Sequence, residues 1–498
     1  MSSSSIDPTP DAIVTAADAP DPRRWLALGV IAIAQLMIIL DASIVNIALP
    51  SAQADLGISD ASRQWVITAY TIAFGGLLLL GGRIADFSGR KKIFIIGLLG
   101  FAGASALGGI ATSQAMLFGA RALQGAFAAL LAPAALSLIT VTFTESRERA
   151  RAFGVYGAIS GGGAAIGLIV GGVLTEYFSW RWCLLVNVPI ALVAAGLAVP
   201  YVRESKAQGD TRYDIPGAIT ATTGLVALVF ALTKAGTPGD GWSAPITVAS
   251  FVAAAVLLVS FVLIERTASH PLLPLRVVTD RNRGGSYGAM FMTSAGLFGM
   301  FLFLTYYFQA TLGYSALKSG FAFLPFSLGI IVSAGIASQM LPKSGPRWLA
   351  TGGLVSAAVG MAWLTQITPD TAYVTHVLPA MLLISLGMGF VFVPLSATAL
   401  FGVQSHDAGV ASAVLNSAQQ IGGSLGTALL NTIAATATAS FLIANPGLDS
   451  IQDGLVTGYT TAFWVGAALL AAAAVVVAVT ITADKHSLAQ HDVAVPAG

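Results

Sequence analysis

From Trp25 onward the chain is a succession of long apolar runs separated by short polar segments. A helix needs about 20 mostly apolar residues to cross a hydrocarbon core about 30 Å thick. By that measure the first half carries spans at 25–49, 65–82, 93–110, 115–141, 152–174, 183–201 and 215–232. The second half carries spans at 246–264, 287–310, 321–340, 348–366, 377–400, 411–435 and 459–481. The pattern therefore predicts an all-α integral membrane protein of fourteen transmembrane helices. Within it, the 411–435 span has the lowest contrast, because Asn416, Gln419, Gln420 and several glycines interrupt the apolar run.

The charges between the runs orient the chain. With the N-terminus inside, 19 of the 24 Lys and Arg residues fall in predicted cytoplasmic segments and four (Arg63, Arg181, Lys234 and Lys318) in external ones. The remaining one, Arg121, lies within a span. That asymmetry follows the positive-inside rule and predicts a multi-pass protein of the inner (plasma) membrane with both termini cytoplasmic. Trp25, Trp65, Trp242 and Trp348 stand at span starts, where indole rings favour the headgroup region.

Composition agrees. Only 9% of the 498 residues are charged and 56% are hydrophobic, against about 25% charged in soluble domains. The formal net charge of +1 points to no nucleic-acid partner, and the single cysteine, Cys183, excludes an intrachain disulfide. Residues 1–22 hold four Asp, no Lys or Arg and no apolar run, so they read as a disordered cytoplasmic tail rather than a signal peptide.

An internal repeat organises the spans. At an offset of 255, Gly154-Val155 matches Gly409-Val410, Ile166-Gly167 matches Ile421-Gly422, and Gly171 matches Gly426. The preceding spans carry interior prolines, Pro133 and Pro394, and the segment 87–91 has an echo in 343–347. Two related halves with a site between them are the common plan of secondary transporters. The expected organisation is an N-terminal six-helix bundle over 23–201 and a segment over 202–285 holding two extra helices. A C-terminal six-helix bundle follows over 286–482, then a cytoplasmic tail over 483–498.

Candidate chemistry is sparse and localised. Asp41 is the one Asp or Glu well inside a predicted span, whereas Asp214 and Glu265 sit at cytoplasmic span ends. A carboxylate within a span is costly and marks a functional site by default. Asp41 lies about 24 Å along its helix from Trp25, and Arg121 about 9 Å in from the opposite side, so the two share a depth and can pair. Such a carboxylate is balanced between desolvation and a nearby cation and can exchange a proton. The plain alternative is a permanent ion pair that only holds helices together. Between the second and third spans, Gly82, Asp86, Gly89, Arg90 and Lys91 form a short basic loop. Its glycines allow a tight turn, and Asp86 can face a helix N-terminus. In the fifth span, Gly154, Gly163, Gly167, Gly171 and Gly172 form a small-residue stripe suited to close helix packing.

These segments resemble the signatures of the major facilitator superfamily, in its branch of fourteen-span drug:proton antiporters. Residues 82–92 are similar to the superfamily loop G-x-L-A-D-R-x-G-R-[RK], with Phe87 in place of the usual Arg. Residues 40–50 resemble L-D-x-[TS]-I-V-N-x-A-L-P, and 121–125 resemble R-x-x-Q-G. The resemblance implies that the 82–92 loop locks a cytoplasmic gate and that Asp41 and Arg121 carry proton coupling. The fifth span is similar to the antiporter pattern G-x8-G-x3-G-P-x2-G-G, but Leu168 stands at the proline position. Without that proline the direction of transport stays open between export and import. Trp180 to Trp182, Asn187 to Pro189, Asp214 to Gly217, Gln309 to Gly313, Pro325 and Leu415 to Gly426 extend the likeness over about residues 25 to 482.

The function expected is proton-coupled efflux of small amphipathic drugs or metabolites by alternating access. The alternative is a same-fold importer or facilitator of a specific nutrient. The protein is not expected to be an enzyme, since no nucleotide loop, metal cluster or nucleophile–base arrangement is present, and no cofactor is implied beyond the proton gradient. Candidate substrate-lining residues are Asn46, Tyr70, Gln124, Tyr156, Tyr306, Gln309, Phe392, Asn416 and Gln420. The scarcity of membrane-embedded acids argues against a dication specialist and suits a neutral or monocationic amphipath held mainly by apolar contact. A monomer in the lipid bilayer is the expected state.

Overall fold

The structure is a computed structural model that describes residues 23–143, 145–206, 214–237, 239–268, 271–273, 275–403, 408–447 and 450–483. The expected tail over 1–22, and the C-terminal tail from 484, lie outside these residues. Among the described residues all regular structure is helical. The first half runs through α1 (Arg24–Leu56), α2 (Trp65–Ser88), α3 (Arg90–Gly109), α4 (Gln114–Thr142) and α5 (Ser146–Tyr177). A short α6 (Trp182–Leu185) and α7 (Asn187–Tyr201) complete it. Next come α8 (Ile215–Ala235), α9 (Pro245–Thr267) and the short α10 (Leu275–Val278). The second half comprises α11 (Arg281–Tyr306), α12 (Ala316–Ser344), α13 (Pro346–Leu364), α14 (Leu378–Leu400), α15 (Ala408–Ala444) and α16 (Ile451–Thr480).

Thirteen of the described helical segments are long and apolar enough to cross a membrane. The span expected over 348–366 corresponds to α13, whose 19 residues open on Pro346 and Arg347 and so fall short in apolarity. The low-contrast 411–435 span proves to be part of the 37-residue α15. The expected 183–201 span is split between α6 and α7, and a π-turn over Tyr307–Thr311 extends α11.

The sequence repeat is visible in the packing. In the first half α1 packs on α5 and α7, α2 on α4, and α3 on α4 and α7. In the second, α11 packs on α15 and α16, α12 on α14, and α13 on α14 and α16. Small residues make the equivalent contacts. Gly167 and Gly171 of α5 lie against Leu40 and Ile44 of α1, as Gly422 and Gly426 of α15 lie against Phe291 and Ala295 of α11. A side chain at Gly426 would run into the Ala295 backbone, so glycine is required for this approach. The halves meet along α2 with α15 and α5 with α12. The equivalent loops each turn on a left-handed glycine, Gly89 (φ 116°) and Gly345 (φ 75°).

Helices α8 and α9 pack on each other, and α8 also touches α2 and α15. Val248, Val252, Val256, Val259 and Leu263 of α9 are exposed, the face of a helix solvated by lipid. The end of the molecule that carries Arg90 is its basic end, and the end that carries Arg63, where the halves are joined by polar contacts, is its sealed end.

Candidate functional site

A carboxylate and a guanidinium meet in the interior of the first half. Asp41 is wholly buried and Arg121 is 2% exposed. Arg121 Nη1 donates to Asp41 Oδ2 at 2.6 Å. Gln124, one turn along α4, accepts from the same Nη1 at 2.8 Å and donates through Nε2 to Asp41 Oδ1 at 3.0 Å. Spacing i,i+3 on a helix puts Arg121 and Gln124 on one face, so one stretch of α4 grips both ends of the ion pair. Asn187 Nδ2 adds a second donor to Asp41 Oδ1 at 2.8 Å. The break between α6 and α7 sets Asn187 at the first position of a new helix, where its side chain turns inward.

Further contacts fix the arginine. Arg121 Nε donates to the Val66 carbonyl at 2.9 Å, and its guanidinium lies over the Tyr70 ring, 4.5 Å from the centroid. Gln124 also donates to Ser105 Oγ at 2.7 Å. Five helices thus converge on one ion pair: α1, α2, α3, α4 and α7. Removing one partner of such a buried pair costs about 3–5 kcal/mol, because the other charge is left uncompensated. Beside Arg121 is a small, mainly apolar cavity of about 10 Å³ lined by Val45, Leu49, Val66, Leu117 and Cys183.

The basic loop is held within the first half. Arg90 Nε donates to Asp86 Oδ1 at 2.8 Å, and Ser137 Oγ of α4 donates to the same oxygen at 3.3 Å. Asp86 does not face the N-terminus of α3 as expected. Glu204 occupies that place and accepts from the backbone N–H groups of Lys91 and Lys92, both at 3.1 Å. The reason is geometric: Asp86 lies on the last turn of α2, whereas Glu204 follows α7, which packs along α3. Gly89 abuts the Glu204 carboxylate, and Gly82 faces Pro133 of α4. At the same end, Arg24 binds Glu148 at 2.8 Å and its hydrogen bonds hold that carboxyl below the usual range.

Of the α5 glycines, Gly163, Gly167 and Gly171 pack on α1, and Gly172 faces Leu317 of α12. Gly154 faces open space. Leu168 is buried, with its carbonyl beside Gly320 of α12.

The candidate lining residues divide. Tyr70 and Gln124 belong to the ion-pair centre. Tyr306 and Gln309 belong to a seal between the halves. Tyr306 hydrogen-bonds Gln53 and lies 4.0 Å below the Arg63 guanidinium, while Gln309 donates to the Ile47 carbonyl at 3.0 Å. Arg63 Nε donates to Asn431 Oδ1 at 3.0 Å, and Asn431 Nδ2 donates to Gln64 Oε1 at 3.0 Å. Nearby, Glu176 accepts from the Leu317 N–H at 3.0 Å. Phe392 is half-buried against the second-half core, and Gln420 contacts Gly75 of α2. Tyr156, half-buried, donates to Gln35 at 2.6 Å. Asn46 and Asn416 bond the Ala42 and Ser412 carbonyls of their own helices.

Sequence reasoning did not single out Ser105, Glu204 or the Arg63–Gln64–Asn431 seal. Asn431 is one of several amides, with Asn416, Gln419 and Gln420, in the 411–435 run, so nothing in the sequence set it apart from them.

Residues 31–427 match the family model of the Major Facilitator Superfamily. The chain belongs to that superfamily. It is 54% identical over 464 residues to the puromycin resistance protein pur8 of Streptomyces alboniger, covering 92% of each chain. It is 39% identical over 417 residues to the cephamycin export protein CmcT of Amycolatopsis lactamdurans, covering 83% of this chain and 85% of that one. Its fold is similar to that of a D-xylose–proton symporter, with a TM-score of 0.64 at 14% identity over 93% and 99% of the two chains. This Major Facilitator Superfamily protein is therefore a membrane-embedded, multi-pass transporter.

Proposed function

We propose that this transporter exports small amphipathic molecules, neutral or monocationic, in exchange for protons across the cytoplasmic membrane. The observation that carries the reading is the buried Asp41–Arg121–Gln124–Asn187 centre, a single titratable group whose charge state bears on five helices. Relatives named for antibiotic resistance and export favour the outward direction and a drug-like cargo. The polar contacts between the halves gather at the sealed end. In our reading that end faces outward and the basic end faces the cytoplasm, so cargo enters past Tyr156 and Asn416 on the inner side. A proton reaching Asp41 neutralises it and frees Arg121 to rearrange; releasing that proton inward restores the pair. The halves, 23–201 and 286–482, rock about this centre, with 202–285 as an added hairpin and both termini cytoplasmic. No cofactor enters this scheme.

The test is efflux of a fluorescent lipophilic cation from loaded cells, with a protonophore control. Wild type pumps only while the gradient stands, and Asp41→Asn at normal expression does not pump. Transport by Asp41→Asn at the wild-type rate would make the ion pair a structural clamp. Accumulation of the dye instead of its loss would assign the protein to import.

A further inference from the structure

We propose that α8 is a strap across the seam between the halves, bonded to both of them and holding the sealed end shut. The α8–α9 hairpin has no counterpart in the helix pairings that the halves share, yet its seat is specific. α8 packs on α2 of the first half and on α15 of the second, along the line where those two helices meet. Ile72 of α2, Leu225, Val229 and Leu232 of α8, and Ala428 of α15 form one buried apolar cluster. Gly76 of α2 permits the approach, since a side chain there would meet Thr222 Oγ1 of α8 at 2.8 Å.

Polar contacts complete the seat at the sealed end. Gln64, the residue before α2, turns the two ends of its amide to different bodies. Its Oε1 accepts from Asn431 Nδ2 of α15 at 3.0 Å, and its Nε2 donates to Thr233 Oγ1 of α8 at 2.9 Å. Thr233 Oγ1 donates in turn to the Val229 carbonyl of its own helix at 2.9 Å. From the second half, Thr432 Oγ1 of α15 donates to the Leu232 carbonyl of α8 at 2.7 Å, closer than the Ala428 carbonyl of its own helix at 3.0 Å. Gly236, just past α8, abuts Thr432. Gln64, Thr233 and Thr432 are all buried.

The arrangement has a mechanical consequence. When the halves part at the sealed end, α2 and α15 separate, and one helix cannot stay bonded to both. α8 must release either Gln64 or Thr432 and give up part of the apolar cluster. A buried polar group left without its partner is costly, so the release opposes opening. The two attachments act in series through a single helix. Cutting either one should free the strap, and cutting both should free it no further. The inference rests on the reading above that the halves rock, but not on the cargo, the proton or which end faces outward.

The experiment measures the separation of the halves by double electron–electron resonance on the full-length protein in lipid nanodiscs. Spin labels sit at Thr112→Cys and Gln366→Cys, exposed positions of the two halves at the sealed end, in a Cys183→Ala background. Thr233→Val cuts the attachment to the first half, and Thr432→Val the attachment to the second, each with little change in side-chain size. Each should raise the ratio of long to short distances about two- to tenfold, the effect of one net hydrogen bond. The double variant should match the larger single effect, and Thr233→Ser, which keeps the hydroxyl, should lie close to the parent. Distances unmoved by either valine substitution would overturn the proposal. So would two effects that add, because independent local losses add and a strap cut twice does not. The same distances recorded with Asp41→Asn separate this inference from proton coupling: a response to the valine variants that persists there leaves the strap standing whether or not Asp41→Asn pumps.

Discussion

The two halves share their helix pairings but are held at their centres by different chemistry. In the first half, Asp41 of α1 is locked by Arg121, Gln124 and Asn187. The contacts Gly167–Leu40 and Gly422–Phe291 set the register between α1 and α11, and in that register the counterpart of Asp41 is Met292. Further along towards the sealed end, Phe301, Phe308 and Phe323 pack ring on ring, with centroids 5.2 Å apart for Phe301–Phe323 and for Phe308–Phe323. Aromatic edge-to-face packing has no protonation state to change, whereas a buried ion pair does. The comparison teaches that related helix pairings can enclose a buried ion pair in one half and an apolar side chain at the matching position of the other.

That contrast can be broken at either end. The largest effect belongs to Arg121→Ala, which leaves the wholly buried Asp41 without its counterion. It should cost about 3–5 kcal/mol of stability and abolish transport, whereas Asp41→Asn should abolish transport while the protein still folds. Thermal unfolding beside efflux separates the two. In the second half, Phe308→Ala removes a fully buried ring and should cost about 3–5 kcal/mol. Transport that survives should keep the wild-type pH profile; a displaced profile would show that the aromatic half also responds to protons.

A smaller effect tests the second donor on Asp41. Asn187→Ala should cost about 1.5–3 kcal/mol, the value of a hydrogen bond to a charged group. It should slow proton-driven efflux, since Asp41 then keeps only Arg121 and Gln124 as donors. Efflux at the wild-type rate would remove Asn187 from the coupling centre. Smallest of all is Met292→Leu, a near volume-conserving change at the counterpart of Asp41, expected to cost less than about 1.5 kcal/mol. Loss of transport there would mean that the second half carries its own specific site.

Several features of this arrangement were legible before any coordinates. Equal depth on α1 and α4 brought Asp41 and Arg121 together on paper, and they pair at 2.6 Å. The glycine repeat at an offset of 255 corresponds to equivalent helix contacts, Gly167 with Gly422 and Gly171 with Gly426. Asp86 is less legible: its position suggests that it can face the N-terminus of α3, but Glu204, distant in sequence, accepts those N–H groups and Asp86 binds the Arg90 side chain. Tyr306 and Gln309 read as lining candidates from composition, yet they bond across the halves at the sealed end.

What the sequence determined by itself was the membrane-spanning character of its segments, their alternation, and the few polar groups admitted to the apolar interior. These are local quantities: each apolar run carries its own transfer free energy, and each embedded charge its own cost. The tertiary structure decided which polar groups meet. Gln124 holding both ends of an ion pair and Asn187 turned inward at a helix break both depend on lateral helix packing. That packing is governed by short-range shape and close approach at glycines such as Gly167 and Gly426, summed over the whole bundle.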